Sequence, residues 1–356
     1  MFRLEMLPAR EGDCLILSWG EADSPYRLLI DAGRESTSEA VLAYVEEHGG
    51  AKDMFELFIV THIDRDHIEG AVALLRSERF RPLVKQIWFN DRGDLDYAPP
   101  EPGFETYGAL DGERLAALIA EHQIANNLDF RPAPVAVRQE ELPVVELPGG
   151  LTLTVLSPDQ QQLADLAKPW EDTLREAPPG WEEYGETEPI DVAFLASRPF
   201  KSDKAKPNGS SIAVVAAYKK RTILLTGDAH VGRLLASLAL YKEMHPEHEG
   251  FALVKASHHG SRGNISNELV AAAQCSCWAI STNGAQYKHP DREAIARIIA
   301  GSPDIVKLFF NYDTPFTAWW RRPNVGAYAF TSSYGDGGYL AIDIPETAPA
   351  VAISTR

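Results

Sequence analysis

Between the apolar run 55–61 and a helix-period segment, the chain reads Thr61-His62-Ile63-Asp64-Arg65-Asp66-His67-Ile68-Glu69-Gly70. A short unbroken apolar run bounded by turn residues is a buried strand, and the apolar spacing that follows is helical. The tight connection between them holds two imidazoles and two carboxylates, His62, Asp64, Asp66 and His67. Four such side chains on one turn can converge on a cation, and this nitrogen and oxygen set suits Zn²⁺, Mn²⁺ or Fe. A solvated charged turn is the alternative reading. The strand–turn–helix unit itself points to a sheet covered by helices.

The rest of the chain repeats the alternation, which predicts an α/β architecture. Strands are expected over 2–7, 14–19, 26–30, 55–61 and 83–89, with helices over 38–47, 69–77 and 112–127. Later strands are expected over 134–138, 142–147 and 151–157, then a hairpin of 211–218 and 221–227 turning on Lys219-Lys220. Helices over 231–244, 265–273 and 291–300 alternate with strands over 251–256, 277–281 and 305–310. Two short strands, 327–331 and 338–343, follow. Residues 90–104 are rich in Asp, Gly and Pro. Residues 169–207 are acidic from Glu171 to Asp191 and basic at Arg198, Lys201, Lys204 and Lys206. With no linker and no internal repeat, the expectation is a single domain over 1–356 with insertions near 90–130 and 169–207.

At 356 residues, 45% hydrophobic and 24% charged, the chain has a globular composition. Three cysteines, Cys14, Cys275 and Cys277, make no disulfide framework, so a reducing, cytoplasmic setting is expected. No apolar run approaches the ~20 residues of a membrane span, and the first residues lack the apolar stretch of a signal peptide. The formal charge of −17 argues against a broad nucleic-acid-coating role, which needs clustered Lys and Arg. It leaves room for an enzyme that engages one phosphodiester through a local metal site.

Four further positions carry chemistry, each after an expected strand. Gly227-Asp228 places a carboxylate where it could bridge two cations. Val254-Lys255-Ala256-Ser257-His258-His259-Gly260-Ser261 offers two histidines; adjacent side chains diverge, so at most one is expected at a metal, the other orienting it or touching substrate. Asp31 could orient a metal-binding histidine. His289, before Pro290, could hold a phosphate or protonate a leaving group. An ordinary turn or capping residue is the alternative at Asp228, Asp31 and His289.

In order, Asp31, His62-x-Asp64-x-Asp66-His67, Gly227-Asp228 and His258 resemble the metallo-β-lactamase fold superfamily. The similarity is greatest to the soluble hydrolase domain of the competence protein ComEC, through Asn208-Gly209-Ser210-Ser211, His258-His259-Gly260-Ser261 and Tyr287-Lys288-His289-Pro290. The resemblance covers roughly residues 1–310 and implies a four-layer αββα sandwich with insertions. It implies two divalent ions, Zn or Mn, with one or both positions occupied. The first position would have His62, Asp64, Asp228 and a weak contact from Asn208. The second would have Asp66, His67, Asp228 and His258. Many relatives bring another histidine from the loop before the hairpin, and residues 208–211 have none.

The activity implied is hydrolysis by a metal-activated water, with Asp66 as both ligand and proton acceptor. His289, His259 and Lys255 would serve a phosphate oxygen or leaving group, and Asn208, Ser210 and Ser211 would hydrogen-bond the same anion. A phosphodiester, a nucleic acid among them, is the first substrate class. Lys201, Lys204 and Lys206 support it, as does a clamp formed by Trp319, Trp320, Arg321 and Arg322. A small thioester, lactone or phosphoester is the second. A binding module with a degenerate site is the third. A protein partner is left open, with the acidic insertion and its Trp170, Trp181 and Tyr184 as a partner surface or lid.

Overall fold

The computed structural model describes residues 1–95, 107–167, 190–322 and 324–353. The chain opens with strands β1 (Phe2–Met6), β2 (Leu15–Glu21) and β3 (Ser24–Ile30), then helix α1 (Thr37–Glu47), β4 (Leu57–Ile59), α2 (Arg65–Arg76), β5 (Ile87–Trp88) and α3 (Tyr107–Glu121). The middle contains β6 (Val144–Leu147), β7 (Leu151–Ser157), α4 (Gln160–Ala167), α5 (Val192–Ser197), the short α6 (Lys206–Gly209), β8 (Ala213–Tyr218) and β9 (Arg221–Leu225). Next come α7 (Val231–Met244), β10 (Leu253–Lys255), α8 (Asn267–Ala273), β11 (Cys277–Ile280), α9 (Arg292–Gly301) and β12 (Val306–Phe310). Strands β13 (Asn324–Val325), β14 (Tyr328–Tyr334), β15 (Leu340–Asp343) and β16 (Val351–Ile353) complete the described residues.

Among the described residues these strands form two mixed sheets, in the orders β16-β15-β1-β2-β3-β4-β5 and β13-β14-β12-β11-β10-β9-β8-β7-β6. Period-two alternation sorts the first sheet's side chains onto two faces. Leu15, Leu17 and Trp19 of β2, Leu28 and Ile30 of β3, and Leu57 and Ile59 of β4 join a core shared with the second sheet. Ile16, Leu29 and Phe58 point the other way, into a core completed by Val41 of α1, Ile68 and Leu75 of α2 and Leu115 of α3. Helices α7, α8 and α9 add Leu234, Val270 and Ile298 to the core around the second sheet. The layers are therefore helix, sheet, sheet, helix, the expected αββα sandwich.

Several boundaries differ from expectation for local reasons. Helix α2 starts at Arg65 rather than at Glu69, because Asp64 is its extended N-cap and Asp66 lies in its first turn, where the helix dipole favours acid. Helix α3 stops at Glu121, where the following chain turns through left-handed Gln123. Residues 134–138 form no strand, only a bridge from Val137 to Asp159, because Arg138 turns back to bond Glu141 through left-handed Gln139 and Glu140. Strand β16, just after Pro349 at the sheet edge, is too short for its pattern to show. The acidic stretch with Trp170, Trp181 and Tyr184 lies outside the described residues. No helix among the described residues is long and apolar enough to cross a membrane.

Candidate metal centre

Strands β3, β4, β9 and β10 all run out at the same edge of the sandwich, and each delivers part of one cluster. Ligand sites in α/β sheets gather at such carboxyl ends. After β3, Asp31 takes a left-handed backbone (φ 53). Its Oδ1 accepts from the Thr61 amide at 2.7 Å, and its Oδ2 accepts from the Thr61 hydroxyl at 2.8 Å and His67 Nδ1 at 2.8 Å. Helix α2 begins against this loop: Gly70 N donates to Gly33 O, and a Cβ on Gly70 would stand 1.9 Å from Ala32 O. Gly70 is thus what lets the His67 turn sit on the Asp31 turn.

After β9, Gly227 has φ 49, and Asp228 N donates to Ser211 Oγ at 3.0 Å. After β10, both His258 (φ 47) and His259 (φ 55) are left-handed, followed by Gly260 (φ 82). Non-glycine residues rarely take this conformation. Two in succession fold the chain so that adjacent imidazoles face one carboxylate.

That carboxylate is Asp228. Its Oδ2 lies 3.4 Å from His67 Nε2, 3.6 Å from His258 Nε2, 3.7 Å from His259 Nε2 and 3.9 Å from His62 Nε2. Asp64 Oδ2 is 3.6 Å from His62 Nε2; Asp66 Oδ2 is 3.6 Å from His259 Nε2 and 4.0 Å from His67 Nε2. His67 and His259 are fully enclosed, whereas the side chains of Asp64 (38% exposed) and His258 (23%) form the mouth.

In each ring the other nitrogen is already engaged. His67 Nδ1 donates to Asp31, and His259 Nδ1 donates to the Ser281 carbonyl at 2.9 Å. The Thr61 hydroxyl gives its proton to Asp31, so it accepts from His62 Nδ1 at 3.0 Å. His258 Nδ1 donates to Asn264 Oδ1 at 3.0 Å. The four Nε2 atoms are left to Asp228, and those of His62, His67 and His259 are buried with no hydrogen-bond partner, as is Asp228 Oδ1. Buried polar atoms are almost always paired. Orphaned imidazole nitrogens and carboxylate oxygens at these spacings fit divalent cations. His62, His67 and Asp228 form one group able to hold an ion; Asp66, His67 and His259 form another. A third, Asp13, Asp31 and His67, is occupied by protein donors: Thr61 and His67 on Asp31, Lys255 on Asp13.

The electrostatics agree. Burial alone would push Asp228 up, but the imidazoles of His258, His67 and His259 hold it well below the usual carboxylate range. Burial would lower His258, yet Asp228 and Asp203 push it up to about 10. His67 and His259 are raised in the same way, against burial, by Asp228 together with Asp31 and Asp13 respectively.

The structure corrects several sequence expectations. The two adjacent histidines do not diverge: both reach Asp228. His259 is enclosed among Asp66, His67 and Asp228 rather than facing a substrate. Lys255 is 1% exposed and ion-paired with Asp13, so it cannot meet a substrate phosphate. Ser211 supports the Asp228 backbone, and Ser210 bonds Pro207 O. Asn208 is 2% exposed; its Nδ2 donates to Asp203 and stands 3.3 Å from His258 Nδ1, while its Oδ1 is unpaired. Residues 208–211 carry no histidine, and the partly exposed His258 approaches Asp228 from the open side. His289 stands beside His258, ring centroids 5.4 Å apart, with Nδ1 3.5 Å from Asp291. In the expected clamp, Trp320 is core, Trp319 stacks on Arg292, and Arg321 pairs with Asp313.

Two parts of the site escaped sequence reasoning. Glu11-Gly12-Asp13 runs beneath it, with Gly12 so close to Asp66 that a Cβ would lie 1.7 Å from Asp66 O. Asp203, within the basic segment, lies 3.6 Å from His258 Nδ1 and accepts from Asn208 and Asn264. A Gly-Asp pair just before an expected strand was the available signal for the first; nothing in the sequence marks the second.

Two facing mixed sheets between helices, with histidine and aspartate groups able to hold metal at the carboxyl ends of the strands, make this an αββα sandwich with a candidate metal centre. No protein-family profile matches the sequence, and no curated protein matches it. Among solved structures the chain is similar to the metallo-β-lactamase fold protein YhfI from Bacillus subtilis. The identity is 10% and the TM-score 0.38, over 95% of this chain and 98% of that one. It is also similar to a protein of unknown function from Enterococcus faecalis V583, with 9% identity and TM-score 0.30 over 94% and 77%.

Proposed function

We propose that this chain is a metal-dependent hydrolase of phosphodiesters, with two divalent cations held around Asp228. The observation that carries the reading is the set of four Nε2 atoms converging on Asp228 Oδ2 while every Nδ1 is engaged elsewhere. One position would take His62, Asp64, His258 and Asp228; the other Asp66, His67, His259 and Asp228. Each mixes two nitrogens with two oxygens, a set suited to Zn²⁺ or Mn²⁺. When bound, such ions lower the pKa of a water toward ~7 and neutralise charge developing on the substrate. Asp31 fixes the His67 ring, Asp203 and Asn264 fix His258, and Asp66 offers a carboxylate for the proton of the attacking water. His289, at the mouth beside His258, is placed to protonate the leaving oxygen.

The exposed Lys201, Lys204 and Lys206 favour a phosphate ester. Asp203, within that segment, lies 3.6 Å from His258 Nδ1. The ComEC-like motif order supports the same substrate class. A second reading, hydrolysis of a small thioester, lactone or phosphoester, is favoured by the −17 charge and by the loss of Trp320 as a stacking platform.

The test is turnover of bis(p-nitrophenyl) phosphate and of single- and double-stranded DNA and RNA by Mn²⁺- or Zn²⁺-loaded protein. Phosphodiester cleavage that disappears in Asp228→Asn is expected. Cleavage of a thioester or lactone with no phosphodiester turnover would replace the first reading by the second. Loaded protein inert toward all of these would leave a binding module.

A further inference from the structure

We propose that the buried pair Asp13–Lys255 positions His259, and through it the Asp66–His67–His259 side of the metal centre. The inference rests on the two-metal reading above. Asp13 lies in the loop between β1 and β2 of the first sheet; Lys255 is the last residue of β10 in the second. Both are 1% exposed, and Lys255 Nζ donates to Asp13 Oδ2 in a bond that crosses from sheet to sheet. The other carboxylate oxygen, Oδ1, has no hydrogen-bond partner and faces His259 Nδ1 at 3.4 Å. His259 Nδ1 therefore donates to the Ser281 carbonyl at 2.9 Å and has the Asp13 carboxylate beside it as an electrostatic neighbour.

Ser281 belongs to the same support, since its hydroxyl donates to Gly12 O at 3.0 Å. One short loop thus touches both neighbours of His259 Nδ1, Ser281 through Gly12 O and the Asp13 carboxylate itself. The left-handed backbone of His259 turns its ring toward Asp228, and contacts at Nδ1 fix the ring from the other side. Asp13 also borders a small cavity with Thr61, Thr226, Gly227 and Lys255.

Lys255 is what makes Asp13 usable in this place. Asp13, Asp31 and His67 lie within one small group, and two buried carboxylates at such a spacing need a fixed cation. The main chain of Lys255 is fixed by pairing with Leu225 of β9 and Ala279 of β11, and its carbonyl accepts from Thr226 Oγ1 at 2.7 Å. Outer carboxylates of this kind hold ligating imidazoles in orientation and tune metal affinity by about 10–100-fold.

A buried ion pair could also be a plain tie between the two sheets, and the two roles separate experimentally. Replacing both partners by apolar residues of similar size commonly keeps stability, whereas removing one does not. We expect Asp13→Leu/Lys255→Met to recover the wild-type melting temperature more nearly than Lys255→Met alone. It should still bind its second equivalent of Co²⁺ about 10–100-fold more weakly, with a shifted visible absorption band. Asp13→Asn, which preserves shape, should show the same selective loss, so the question stays open to test if the double variant misfolds. Lys255→Arg, which keeps the cation, should keep both equivalents. If the double variant or Asp13→Asn binds both Co²⁺ equivalents with wild-type affinity and spectrum, the pair is only a tie. Wild-type protein that takes up no Co²⁺ would overturn the metal reading itself, and this inference with it.

Discussion

Asp228 has the least freedom of any side chain in the site. Its carboxylate meets four imidazoles, and its amide is held by Ser211 Oγ. Asp228→Asn keeps the shape and removes the charge that both cation positions would share. The expected result is loss of both metal equivalents, more than ~100-fold in affinity, with the circular dichroism spectrum unchanged; outer-shell changes alone reach that range. Retention of two tight metal equivalents in this variant would rule out a shared carboxylate. Asp31 acts one step away, through His67. Asparagine tolerates the left-handed backbone that Asp31 adopts, so Asp31→Asn isolates the acceptor. The expected outcome is an affinity weaker by about 10–100-fold at the position held by His67, with folding intact, read by competition against a chelator.

Elements account for why the site was only half legible in the sequence. The strands β3, β4, β9 and β10 carry unbroken apolar runs, and Asp31, His62, Asp228 and His258 follow them as plain chemical punctuation. Those positions could be read directly. The convergence of His258 with His259 could not, because it depends on two successive left-handed residues that carry no glycine signal. The support provided by Glu11-Gly12-Asp13 and Asp203 was hidden for a related reason: it consists of contacts between segments far apart in the chain. Lys255 shows the opposite error. A lysine near a motif reads as a substrate contact until the strand that carries it proves to be central in its sheet. Gly12 tests how tightly the β1–β2 loop is built into α2. A Cβ there would lie 1.7 Å from the Asp66 carbonyl oxygen, which belongs to a backbone that cannot swing aside. Overpacking typically costs ~1–3 kcal/mol, and a clash with main chain belongs at or above the top of that range. Gly12→Ala should therefore lower the melting temperature and weaken metal binding together. A variant with unchanged stability and unchanged metal affinity would show that the loop is not part of the site's frame.

At the scale of the whole molecule, two bound divalent ions would change the formal charge from −17 to −13, and the four added charges would all lie at one mouth. The same ions must displace protons. Asp228 and Asp203 raise His258 to about 10, and His67 and His259 are raised as well, so protons compete with cations for these ring nitrogens. The sign for stability follows from linkage. An imidazole in the unfolded chain titrates near ~6.5; one raised to about 10 in the fold stabilises it fully below ~6.5 and loses that contribution as pH rises through about 10. Metal binding has the opposite slope, because deprotonated nitrogens are the ligands. Raising the pH from 7 to 9 should therefore lower the melting temperature of the metal-free protein while tightening its affinity for Zn²⁺ or Mn²⁺. The gap between loaded and metal-free melting temperatures should widen over the same interval. At a free metal concentration of 100 times Kd, each site adds ~2.7 kcal/mol to stability, reversed by chelation. Calorimetry at pH 7 in two buffers of different ionisation enthalpy should show net proton release on metal uptake. A gap that narrows with pH, or uptake without proton release, would mean that the cations do not displace protons from His67, His258 and His259, and would separate the metal centre from the imidazole cluster around Asp228.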